Sequence, residues 1–172
     1  GVEKNSKKAF EWYEKAASQG FAKAQYNLGV MYDKGEGVEK DSKKAIEWYE
    51  KAASQGLAIA QFSLGLMYDK GEGVKKDIKK AFEWYEKAAS QGLAEAQFSL
   101  GFMYYDRIGV KKDIKKAIEC FEKAASQGFA DAQYILGIMY DVGEGVKKDI
   151  KKAKKLFKEA CNGGHQDSCK LI

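Results

Sequence analysis

The chain has 172 residues, no proline, 18 glycines, 45% hydrophobic and 32% charged positions, and a formal net charge of +5. Acids and bases are interleaved throughout, which excludes a disordered tail, and the lack of proline excludes collagen-like, polyproline and mucin-like chains. No apolar run nears the ~20 residues of a membrane span, and no charged-then-apolar leader opens the chain.

The first predicted helix ends at Gly20, and a second follows from Phe21 to the Gly35/Gly37 turn. From Asp41, the stretch DSKKAIEWYEKAASQG opens with an N-cap aspartate. It places Ala45, Trp48, Tyr49, Ala52 and Ala53 at helical i, i+3, i+4, i+7, i+8 spacing. Gly56 closes this helix as a left-handed cap, and LAIAQFSLGLMYDKGEG supplies the next one. The two patterns then alternate to the C-terminus. Ala9, Ala45, Ala81, Ala117 and Ala153 are copies of one position, as are Gly1, Gly37, Gly73, Gly109 and Gly145, so the period is 36 residues. Residues 45–80 and 81–116 differ at only seven positions, which argues against two independent domains.

Gly29, Gly65, Gly101 and Gly137 fall in mid-helix, where glycine costs roughly 0.5–1 kcal/mol relative to alanine. Their common phase predicts close approach of two helix backbones. Trp12, Trp48 and Trp84 also hold a fixed phase, as do Tyr32, Tyr68, Tyr104 and Tyr140; both rows are expected in the core.

The motif A-x3-L-G-x2-Y-x2-G-x-G-V-x2-D-x3-A-x2-W-Y-x-K-A-A-x2-G, as in Ala24 to Gly56, recurs along nearly the whole chain. It resembles the Sel1-like repeat, a branch of the tetratricopeptide-like α-solenoids. The resemblance implies an all-α, right-handed superhelix of helix-turn-helix units whose opening helix carries Leu-Gly. Full repeats are then expected at 21–56, 57–92, 93–128 and 129–164, with 1–20 as the second half of a unit and 165–172 as a partial helix. On that reading the chain begins inside an array. Such arrays fold because stacked neighbours close a core that one helix pair cannot.

Function is expected where the units differ. One phase of the Leu-Gly helix holds Lys23, Ile59, Glu95 and Asp131; another holds Val30, Leu66, Phe102 and Ile138. A row of rings runs through Tyr26, Phe62, Phe98 and Tyr134, with Asn27 beside it. By the resemblance these rows face the concave groove, giving an apolar floor edged by charges, a composition that suits a peptide or helix ligand. The competing reading is that the apolar rows fill gaps between repeats.

The third full unit departs from its neighbours. It reads Tyr105-Asp106-Arg107-Ile108-Gly109 where others have Asp-Lys-Gly-Glu-Gly, so Arg107 stands at a helix-terminating glycine position. Either Arg107 adopts a left-handed conformation at a cost of roughly 1–2 kcal/mol, or the helix ends differently. Tyr105, Asp106 and Arg107 are expected to form a specificity feature on the groove rim. Lysine pairs such as Lys75/Lys76 and Lys79/Lys80 precede each Trp-type helix. They read as a solvated face and not as a nucleic-acid site, because aromatics are not interleaved with them and glutamates adjoin them.

Cys120 replaces a Trp and is expected to be a buried free thiol. Cys161 and Cys169 flank the Asn162-Gly163-Gly164 turn, where antiparallel helices can bring two cysteines within disulfide reach. The junction is similar to that of the disulfide-bridged Helicobacter cysteine-rich proteins, which carry such a pair in every repeat; here Ala17/Gln25, Ala53/Gln61, Ala89/Gln97 and Ala125/Gln133 lack it. The pair leans toward a secreted or periplasmic setting and its absence elsewhere leans against one. His165 also lies between the cysteines, so a zinc set completed by Asp167 or water is the alternative to a bridge.

Catalysis is not expected. There is one histidine, no phosphate-binding glycine motif follows a strand, and Ser6, Ser18, Ser42, Ser54, Ser90, Ser126 and Ser168 lack the S-x-x-K lysine. That also disfavours the β-lactam chemistry discussed for some disulfide-bridged relatives. No metal or cofactor is expected. The reading is a scaffold for a protein or peptide ligand. Its competitors are a structural array that self-associates end to end, and a recently duplicated or engineered array with no selected ligand.

Overall fold

A computed structural model of the chain describes residues 2–172, with side chains from residue 5 onward; Gly1, the first of the glycine series, lies outside them. Helices α1 (Val2–Ser18), α2 (Ala22–Lys34), α3 (Ser42–Ser54), α4 (Ala58–Lys70) and α5 (Ile78–Ser90) are followed by α6 (Ala94–Asp106), α7 (Ile114–Ser126), α8 (Ala130–Val142) and α9 (Ile150–Asn162). A 3-10 segment, Gln166–Leu171, completes them, and no strand occurs among the described residues. The residues group into two compact units, Gly1–Ala88 and Ala89–Ile172, and within each unit sequence-adjacent helices pack on one another.

Odd and even helices begin by different means. The Asp41 side chain accepts from the backbone N–H of Lys43 and Lys44 at 3.1 and 3.0 Å, and Asp113 and Asp149 cap α7 and α9 in the same way. The even helices start at Phe21, Leu57, Leu93 and Phe129, which make no side-chain cap. Phe129 packs instead against Phe98 at 5.0 Å between ring centroids, whereas Phe21 is 61% exposed.

The mid-helix glycines accommodate rings. A Cβ on Gly101 would lie 2.6 Å from the ring of Phe121, which is fully buried, and one on Gly65 would lie 2.5 Å from Tyr85. Tyr49 and Phe157 meet Gly29 and Gly137 likewise. The close approach is therefore of an aromatic face to a helix backbone, and not mainly of one backbone to another.

This choice displaces the tryptophans from the core. Trp48 precedes Tyr49, and neighbours on a helix point about 100° apart, so only one of the two can enter the glycine slot. Tyr49 and Tyr85 are buried, whereas Trp48 and Trp84 are half-buried and Trp12 is 71% exposed. Each Trp instead lies under a lysine one turn later, with Lys51 Nζ 3.8 Å and Lys87 Nζ 4.3 Å from the ring centroids. Cys120, at the Trp position of α7, is correspondingly half-buried, and burial pushes its thiol pKa up. The tyrosine row is mixed: Tyr32 and Tyr68 are buried, Tyr104 and Tyr140 half-buried.

The same buried polar contact recurs within each unit. Gln25, Gln61, Gln97 and Gln133 are buried, and each donates through Nε2 to the carbonyl of the residue eight positions earlier, at 3.2–3.3 Å. Gln55 adds a link from the next helix, donating to Gln25 Oε1 at 2.7 Å and to the Gly20 carbonyl at 2.9 Å. Gln127 repeats this on Gln97 and Gly92. Buried amides in a non-polar setting demand such partners.

Candidate functional site

The faces of the even helices are assembled by helical spacing: in α6, Glu95, Phe98, Phe102 and Tyr105 follow one another at three- and four-residue steps. In the first unit, Lys23 is exposed, whereas Tyr26, Asn27, Val30, Ile59, Phe62 and Leu66 are half-buried. The Tyr26 and Phe62 rings lie 5.6 Å from Tyr49 and Tyr85 respectively, so these rows also seal the helix pair beneath them.

The second unit is more constrained. Phe98 is wedged among Phe102, Phe129 and Phe121 at 4.9, 5.0 and 5.8 Å. Tyr134 is covered by His165, whose ring stacks on it at 4.1 Å. Nε2 of His165 lies 3.9 Å from Asp131, and Nδ1 accepts from the Ser168 backbone N–H at 3.2 Å. Asp131 and Tyr134 thus meet the C-terminal segment of their own chain. Both cysteines are bonded to each other, with Cα atoms 4.9 Å apart, so they are not available to a zinc ion with His165.

Between α6, α7 and α8 an apolar pocket of about 100 Å³ remains, lined by Phe102, Phe121, Ile135, Ile138 and Met139. Tyr105 and Glu144 also line it, and the Tyr105 hydroxyl donates to the Glu144 carboxylate, 2.9 Å from both oxygens. That hydrogen bond, with the nearby charges of Glu144 and Asp106, raises the pKa of the Tyr105 hydroxyl. The ammonium of Lys112 sits 4.8 Å from the Tyr105 ring centroid. Glu144 was not singled out from the sequence. The signal that finds it is an offset of 39 residues, which pairs Tyr105 with Glu144 but Asp33 with Glu72 and Asp69 with Ile108. Only the first of these couples a neutral donor to a carboxylate.

Arg107 keeps the left-handed conformation, with φ 62°, and its N–H still donates to the Met103 carbonyl. Ile108 N–H bonds to Met103 O and Asp113 N–H to Tyr104 O, matching Glu36 to Met31 and Asp41 to Tyr32. The helix therefore ends as its relatives do, and the substitution is absorbed as local strain. Asp106 and Arg107 are both exposed.

Lys75, Lys76, Lys79 and Lys80 are exposed, as a solvated face requires, and some lysines of the ladder also meet aromatic rings. Lys80, Lys116 and Lys152 lie over the rings of Tyr68, Tyr104 and Tyr140 at 5.0, 5.2 and 4.0 Å. The aromatics absent beside these lysines in sequence are brought to them by the antiparallel hairpin. Among the described residues no group of three or more His, Cys, Asp or Glu side chains could hold a metal ion, and no helix is long and apolar enough to cross a membrane.

A family model described as Sel1 repeat matches residues 1–21, 22–57, 58–93, 94–129 and 130–165. A Sel1 repeat protein from Oxalobacter formigenes is similar at 40% identity and a TM-score of 0.92, over 97% of this chain and 68% of that one. A protective antigen of uropathogenic Escherichia coli matches at 34% identity and a TM-score of 0.88. This chain is covered to 95% in that match but spans only 35% of the antigen. Cysteine-rich protein B of Helicobacter pylori matches at 32% identity and a TM-score of 0.62, over 77% of this chain and 96% of that one. No curated protein matches significantly.

Proposed function

The chain belongs to the Sel1 repeat family, and on that premise we propose that it is a non-catalytic scaffold holding a protein or peptide segment on the face of its Leu-Gly helices. Sel1 repeats are generally protein-interaction modules. The observation that carries the reading to this chain is the apolar pocket of Phe102, Ile135 and Ile138, left half-open beside a densely packed ring cluster. An apolar depression with a few polar groups at its edge is the usual form of an anchor site.

Selection from a displayed library of random peptides tests it. Wild-type protein is expected to enrich sequences with apolar anchors, and a Leu66→Lys/Ile138→Lys variant with unchanged helicity and melting is expected to lose them. Equal enrichment on both, or none on either, overturns the reading.

The exposure of Trp12 at 71% and Phe21 at 61% favours a second reading, self-association through this part of the first unit. Sedimentation over a concentration range decides it: a strictly monomeric species removes the idea.

A further inference from the structure

The pocket in the second unit carries its own chemical signature. α6 and α8 hold Glu95, Asp106, Asp131 and Asp141 and no lysine or arginine, although the chain as a whole is basic. The corresponding helices of the first unit mix signs, with Lys23, Asp33 and Lys34 on α2, and Asp69 and Lys70 on α4. The cations of the second unit are concentrated on α7 and α9 and in the loops before them.

Glu144 is the one acid among the residues lining the pocket, and Tyr105 fixes it. A single hydroxyl placed 2.9 Å from both carboxylate oxygens holds the group in one orientation. A carboxylate has about four acceptor sites, so one donor leaves most of them unfilled. The ring of Tyr105 is itself backed by Lys112, whose ammonium is directed to the ring. An oriented carboxylate beside an apolar hollow is complementary to an aliphatic side chain with a cation next to it.

Resting on the scaffold reading above, we infer that this pocket takes a branched aliphatic side chain of a basic peptide segment, and that Glu144, held by Tyr105, receives the arginine or lysine adjacent to that anchor. Aspartate, found at the Tyr105 position of the other units, cannot hold Glu144 in this way because it would repel it. Of the four positions at which α6 differs from α4, Tyr105 is the one that orients Glu144.

Three synthetic peptides test the inference, each with one leucine flanked by arginine, by glutamine or by glutamate in a glycine-serine background. Each is titrated into the full chain and followed by amide chemical shifts, which register weak binding. The arginine peptide is expected to shift residues around Ile138 and Glu144 and to bind about tenfold more tightly than the glutamate peptide at low salt, a margin that shrinks at high salt. Glu144→Gln and Tyr105→Phe are each expected to reduce that margin severalfold. If all three peptides bind alike, or if the margin survives Glu144→Gln, the charge assignment is overturned and the scaffold reading stands. If none shifts any resonance of the pocket, both fall.

Discussion

Cys169 occupies in the last unit the place that Gln133 occupies one repeat earlier. Gln133 donates to the Ala125 carbonyl, while Cys169 is bonded to Cys161, the residue at the Ala125 position. A hydrogen bond across the helix junction is thus exchanged for a covalent one. The bridge closes a short loop that ties Gln166–Leu171 to α9, and with it the ring of His165 on Tyr134. In a Cys161→Ala/Cys169→Gln variant, hydrogen exchange at residues 165–171 is expected to accelerate by the equivalent of about 2–3 kcal/mol, the loop-closure contribution of a cross-link this short. The first unit should exchange as before. Unchanged protection at the C-terminal segment would mean that packing alone holds it.

Gly101→Ala is expected to destabilise the second unit by about 1–2 kcal/mol. Alanine gains roughly 0.5–1 kcal/mol of helix propensity, but its Cβ would meet the Phe121 ring at 2.6 Å, and overpacking a core costs typically 1–3 kcal/mol. Denaturant unfolding checks the sign. Adding Phe121→Leu should recover part of the loss, since both changes act on one contact.

Arg107→Gly is expected to stabilise the chain by about 0.5–1 kcal/mol. Removing the side chain relieves a left-handed conformation that costs a non-glycine residue roughly 1–2 kcal/mol, offset by the greater entropy of glycine in the unfolded chain. A lower unfolding midpoint would show that the Arg107 side chain makes a contact worth more than the strain.

Alkaline unfolding should be driven by Tyr49 and Tyr85. Burial pushes both hydroxyls well above the ordinary tyrosine range, with a smaller effect from Asp33 or Asp69. Their unfolded forms ionise near pH 10, so above that pH the unfolded state binds fewer protons than the native one. Stability falls as pH rises, by up to about 1.4 kcal/mol per pH unit for each tyrosine, and is unaffected by them below it. Tyr49→Phe/Tyr85→Phe should flatten this limb, as Phe121 and Phe157 already fill the same slot without a hydroxyl. Equal slopes in both proteins from pH 9 to 12 would assign the loss to other groups.

The repeat length, the aspartate caps and the helix-closing glycines are determined by local sequence, because hydrogen bonds within one turn and the steric freedom of glycine act over a few residues. The apolar rows are equally legible, since a helical period places them on one face before any neighbour is known. What the period alone leaves open is which of two adjacent aromatics turns inward. Tyr49 is chosen over Trp48 because the opposing Gly29 backbone, reached only through the tertiary fold, offers a slot for its ring. The residues expected on a groove divide for the same reason: Phe98 and Tyr134 are claimed by Phe129 and His165, while Phe102 and Ile138 line a pocket. Glu144 acquires its role from Tyr105, 39 residues away, by a contact that exists only once successive helix pairs stack.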